Sequence, residues 1–185
     1  MDRRISKTTQ SLKDALVTLM EEKELRKITV SDITKLANIN RGTFYLHYLD
    51  IYDMVEKLED EIIDKIKQII DTGNSVVTNY LYLPILVKII EYFYQDKRFI
   101  QTLISPNGDP FFLNRVQDIM VDHSMKIYRG SLKKYDASYI KVIMTFIVSG
   151  GIGVFTEWFK GGCKTPVHEV IIPCETIISK GLNNL

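Results

Sequence analysis

The sequence predicts an all-α protein of about nine helices, a compact three-helix N-terminal domain followed by a larger helical domain. Three observations predict it. Apolar residues recur at i, i+3, i+4 and i+7 through successive segments. Cap and breaker residues punctuate those segments at helical lengths. Near residue 75 the pattern changes from short, charged amphipathic pieces to longer, more apolar ones rich in Tyr and Phe. The domains are placed at 1–50 and 51–185, with a long fourth helix from about 51 to 72 connecting them.

Helix 1 is expected over Lys7 to Lys23, with Leu12, Ala15, Leu16, Leu19 and Met20 on one face. Helix 2 begins near Ser31 and shows Val30, Ile33, Leu36 and Ala37 as a short apolar face. Asn38-Ile39-Asn40 then supports a stop, a turn and a start, because Asn tolerates the left-handed conformation and is also a strong N-cap. Helix 3 runs from Arg41 to Tyr48, about 12 Å long at ~1.5 Å per residue. Asp50 caps helix 4, whose buried face is Val55, Leu58, Ile62, Ile66 and Ile69, and Thr72-Gly73-Asn74-Ser75 ends it. Pro84 opens a helix reaching Asp96, and a further one covers Phe99 to Ile104. Ser105 to Pro110 is a loop. Leu113, Val116, Ile119, Met120 and Ile127 mark the next helix, with Gly130 near its end. Tyr139 to Phe159 is the most apolar helix and is expected to be buried; Gly161-Gly162 ends it. Pro166 opens a last helix that Pro173 should kink or break.

The 185 residues are 45% hydrophobic and 25% charged, which suits a folded globular chain that needs no disulfide framework. A net charge of +1 excludes a globally basic nucleic-acid coat, so DNA binding must come from a local patch with shaped contacts. Two cysteines, Cys163 and Cys174, fit plain thiols in a reducing compartment. Met1-Asp2-Arg3-Arg4 leads into a polar stretch without an apolar signal region, so a cytoplasmic protein is expected. The apolar run from Val142 to Phe155 falls short of the roughly 20 residues of a membrane span, and no membrane partner is expected.

The chemistry concentrates in helices 2 and 3. Arg41, Thr43, Tyr45 and His47 lie on the outward part of helix 3 and can reach base edges or phosphates, while Phe44 and Tyr48, at i and i+4, pack inward. Gly42 permits close backbone approach where N–H groups and the helix dipole favour a phosphate, and Thr29 and Ser31 offer the same at the front of helix 2. Arg3, Arg4 and Lys7 can add phosphate contacts. This division of labour is that of a helix-turn-helix.

Ile28-Thr29-Val30-Ser31-Asp32-Ile33 followed by Ala37-Asn38-Ile39-Asn40-Arg41-Gly42-Thr43-Phe44-Tyr45-Leu46-His47-Tyr48 closely resembles the DNA-binding signature of TetR-family transcription regulators. The resemblance covers most of the first fifty-five residues. It implies a homodimer in which Thr29, Asn40, Arg41, Gly42, Thr43, Tyr45, His47 and Tyr48 face operator DNA or support the face that does. Two departures stand out. Asn38 occupies a position where the family usually has glycine, and Leu49 and Ile51 replace the lysines that usually bracket the aspartate. Losing both lysines predicts weaker or less salt-dependent DNA binding. The segment Phe146 to Gly161, FIVSGGIGVFTEWFKG, is similar to the glycine-rich, tryptophan-ended helix of a Gram-positive branch that includes regulators of dihydroxyacetone kinase operons.

The resemblance further implies repression modulated by a small-molecule effector held in the helical domain, with Phe93, Phe112, Arg115, His123, Tyr128, Phe146 and Trp158 as candidate lining. It also implies pairing of two copies through the last two helices, which would let Gly150, Gly151 and Gly153 pack closely and set two reading heads about 34 Å or more apart. A second class stays open at this point: a protein-interaction module that activates through another regulator without reading DNA itself. Cys163, His168 and Cys174, with His123, match no compact zinc spacing, so no metal or other cofactor is expected. An enzyme is not expected either, since no nucleophile with a partnered base and no phosphate loop is legible.

Overall fold

The computed structural model describes residues 3–73, 83–128 and 134–183, with side chains for 7–72, 85–127 and 134–182. The Arg3 and Arg4 side chains, Asn74-Ser75, the Pro84 ring, the Tyr128 side chain and Gly130, all expected to matter, lie outside the described residues. The helices are α1 (Arg3–Glu22), α2 (Val30–Leu36), α3 (Arg41–Tyr45), α4 (Ile51–Gly73), α5 (Leu83–Gln95), α6 (Lys97–Leu103), α7 (Phe112–Tyr128), α8 (Ala137–Lys160) and α9 (Val167–Asn183), with one 3-10 turn at Leu25–Lys27. No strand occurs among the described residues, so the all-α expectation holds.

The chain forms two compact units. One is Met1–Asp64 with Arg98–Pro110; the other is Lys65–Lys97 with Phe111–Leu185. In the first unit the apolar stripes converge as expected. Leu12, Leu16 and Met20 of α1, Ile33 of α2, Phe44 of α3, Met54 of α4 and Leu103 of α6 are all fully buried. Leu19 stays half-buried, and Val17 joins the core in addition. Burying one such side chain stabilises by roughly 1.5–3 kcal/mol, so the periodic face is what fixes the unit.

The segment Arg98–Pro110 belongs to this unit despite its distance in sequence. The Arg98 guanidinium donates to both carboxylate oxygens of Glu21 at 2.7 Å and to the Thr18 hydroxyl at 3.1 Å. The Asn107 amide donates to the Met20 carbonyl at 3.0 Å, and the Asn107 carbonyl accepts from the Leu25 N–H at 3.0 Å. These contacts satisfy groups that the end of α1 and the following turn would otherwise leave open.

The second unit is built by α7 on α8, with α9 against α8 and α5. Its core joins Val121, Ile140, Met144 and Leu182, flanked by Ile143, Ile147 and Ile178. Asp136 caps α8 by accepting from the Tyr139 N–H at 2.8 Å, which starts the helix two residues before the expected Tyr139.

Three expectations are corrected. Helix α3 ends at Tyr45 and not Tyr48; beyond it the His47 N–H bonds three residues back, to the Phe44 carbonyl, in a turn and not in the four-residue step of an α-helix. Pro173 does not break α9, which runs through it to Asn183 with Pro173 on an exposed face. Helix α8 is not buried within the chain. Val142 is 70% and Phe146 79% exposed, and Cβ atoms on Gly150, Gly151 and Gly153 would touch nothing within 4 Å. Continuous through its glycines, α8 reaches 24 residues and is long and apolar enough to cross a membrane, by length and composition, where the shorter run read from sequence was not.

Candidate nucleic-acid interface

The reading head is positioned by hydrogen bonds that the local sequence spells out. Thr29 ends extended backbone and caps α2: its hydroxyl accepts from the Asp32 N–H at 3.2 Å, and the Asp32 carboxylate accepts from the Thr29 N–H at 3.0 Å. The Lys23 ammonium donates to the same carboxylate at 2.8 Å, tying the end of α1 to the start of α2. Together these bonds hold the Asp32 carboxyl down at about 2, the Lys23 bond contributing most.

The turn follows the expected chemistry. Asn38 takes the left-handed conformation at φ 53°, and the Ile39 N–H closes on the Thr34 carbonyl at 2.9 Å. Asn40 caps α3, its side-chain oxygen accepting from the Gly42 N–H at 2.7 Å. A Cβ on Gly42 would sit 3.2 Å from that oxygen. Gly42 therefore makes room for the cap, and its own N–H is engaged there.

Behind α3, the Leu49 N–H donates to the Asp53 carboxylate at 2.8 Å, and Lys57 bridges that carboxylate at 2.9 Å and the His47 carbonyl at 3.1 Å. The Leu49 N–H and Lys57 hold Asp53 below the usual carboxylate range. Asp50 caps α4 as expected, accepting from the Asp53 N–H at 2.9 Å. The sequence reading missed the Asp53–Lys57 brace, although its i, i+4 spacing is visible.

The expected site residues divide by exposure. Thr29, Ser31, Asn40, Arg41, Gly42 and Tyr45 are exposed, while Thr43 and His47 are half-buried. Tyr48 is 7% exposed and packs on Phe44 with ring centroids 5.5 Å apart. It supports the face from beneath and is not part of the outward surface. Ile51 is buried as well, so that position serves packing, whereas Leu49 is 77% exposed. The most exposed apolar residue of the head, Leu46, was not among the expected contacts; it is 82% exposed.

In the second unit the expected effector residues stand in different surroundings. Phe112 is fully buried, His123 is buried with its pKa lowered chiefly by that burial, and Arg115 is half-buried. Phe93 packs edge-on to Phe159 at 6.3 Å, and Phe146 faces outward. Trp158 does line a cavity of about 260 Å³, with Ile90, Glu91, Tyr94, Cys163 and Pro166 among its walls. Its ring stacks on Tyr94 at 6.5 Å, and its indole N–H donates to the Thr165 carbonyl at 2.8 Å. Lys97 closes the α8 terminus by donating to the Gly162 carbonyl at 2.7 Å.

Comparison with known proteins agrees with this architecture. Residues 82–180 match the family of TetR-type domains described as "Transcriptional regulator C-terminal region". A TetR transcriptional regulator from Streptococcus agalactiae superposes with a TM-score of 0.66 at 26% identity, covering 96% of each chain. The fatty acid degradation regulator FadR from Bacillus halodurans superposes with a TM-score of 0.72 at 17% identity over 95% of this chain and 96% of the other, a likeness of fold. The uncharacterized HTH-type transcriptional regulator YxbF of Bacillus subtilis is 39% identical over 69 residues, which is 35% of this chain and 18% of that longer protein. The family match over residues 82–180, more than half of the chain, together with a separate helix-turn-helix head of capped α2 and α3, makes this chain a member of the TetR family of DNA-binding transcription regulators.

Proposed function

We propose that two copies of this chain read a pseudo-palindromic operator through Asn40, Arg41, Thr43, Tyr45 and His47, with Thr29 and Ser31 against the phosphate backbone, and that the bound dimer represses transcription. The observation that carries this reading is the outward face of α3: exposed Arg41 and Tyr45 on a helix locked at one end by Asn40 and at the other by the Asp53–Lys57 brace. A helix backbone held in this way loses little freedom on meeting DNA. The exposed apolar stripe of α8 supports pairing, since Val142 and Phe146 gain by burial and the glycines admit a partner's close approach. The cavity beside Trp158 supports an effector site in each copy, whose ligand shifts the population away from the operator-binding spacing. As the one tryptophan of the chain, Trp158 reports occupancy by its fluorescence.

The test is binding of purified protein to its own upstream DNA at two salt concentrations, with Arg41→Ala and Tyr45→Ala alongside. Competitor-resistant binding by wild type, weakened ten- to a hundredfold in each variant at ~1–3 kcal/mol per specific contact, is expected. A second reading, activation through another regulator without direct DNA reading, is favoured by one observation, the exposed leucines Leu46 and Leu49 on the head. It predicts sequence-indifferent binding by a folded dimer and no loss in either variant.

A further inference from the structure

The most exposed apolar side chain of the head, Leu46, sits at the end of the recognition helix and has no hydrogen-bonding group. At ~100° per residue, Leu46 lies about 200° around the helix from Phe44, nearly opposite that buried ring. Its backbone stays helical at φ −72° and ψ −20°, so the projection is continuous with α3. Gly42, one turn earlier on the same outward line, carries no side chain. Arg41 and Tyr45 lie to one side of this line and Thr43 to the other. When α3 enters a major groove, Leu46 is therefore the group presented most directly to the base edges, and at 82% exposure it is free of packing within the head.

We propose that Leu46 is a specificity-determining residue that selects a thymine at one position of each half-site by contact with its 5-methyl group. Thymine alone among the four bases offers an apolar group on the major-groove edge, and an aliphatic side chain has nothing else there to recognise. Opposite any other base, Leu46 would strip water from a donor or acceptor without replacing the hydrogen bond, which adds discrimination against the wrong sequence. The proposal rests on the reading of α3 as a direct DNA reader and assigns one base preference within it.

The test uses deoxyuridine, which differs from thymidine only by the missing methyl. In the upstream fragment protected by the wild-type chain, each thymine is replaced singly by uracil and the affinity is measured for wild type and Leu46→Ala. The expected result is a loss of about fourfold at one thymine per half-site for wild type, the equivalent of one buried methyl group. Leu46→Ala should bind the thymine and uracil forms alike. A flat uracil scan for wild type overturns the proposal, and so does a methyl effect that persists unchanged in Leu46→Ala. If either occurs while Arg41→Ala still weakens operator binding as predicted, direct reading stands and only the role of Leu46 falls. If wild type shows no sequence-selective binding at all, both fall.

Discussion

Asp32 ties the end of α1 to the start of α2. It closes the capping box with Thr29 and accepts from Lys23, and those bonds hold its carboxyl at about 2. Because the folded-state value lies below the unfolded one of about 3.9, its contribution is fully present above about pH 4 and is lost as pH falls toward 2. Asp32→Asn should therefore lower stability at pH 7 and flatten the acid limb between pH 4 and 2 in a thermal-denaturation series; an unchanged acid limb would place the linkage elsewhere. Much at this scale was legible. Asn38 spells a left-handed turn and Asn40 a cap, since each depends on neighbours a few residues away; the Thr29–Asp32 capping box was legible at the same range but was not read. The engaged N–H of Gly42 follows from the Asn40 cap at the start of α3, and the outward projection of Leu46 from the end of α3 at Tyr45; neither was read.

Helix boundaries fell within a few residues of the periodic faces, but the partnership of α6 with α1 did not show in any pattern. Its contacts join residues about eighty positions apart, and periodicity marks which face is buried without naming the surface that covers it. Magnitudes identify what matters in that docking. The Arg98–Glu21 pair is about half exposed, so Arg98→Ala should cost no more than about 1 kcal/mol. Gly108 is different, because a Cβ there would fall 2.0 Å from the Leu103 carbonyl oxygen, and backbone cannot yield as a side chain does. Gly108→Ala should destabilise by about 1–3 kcal/mol in urea unfolding, clearly more than Arg98→Ala. The reverse order would show that the segment 98–110 is held by its ion pair.

At the scale of the whole molecule, the question is what covers α8. Burial of that helix was expected from its composition, and within one chain the expectation fails: composition states that an apolar face must be covered but not by which chain. The account assigns the cover to a second copy, so Phe146→Glu should shift sedimentation equilibrium toward monomer at micromolar concentration while leaving the helical circular dichroism unchanged. A variant that stays dimeric would remove Phe146 from the interface. The central claim is that paired heads read one duplex, and hydroxyl-radical footprinting on the upstream DNA tests it most directly. The account predicts two protected segments related by a dyad, their centres about 34 Å or a multiple of that apart, both lost in Arg41→Ala and both weakened together in Phe146→Glu. A single asymmetric segment, or protection indifferent to either substitution, would contradict it.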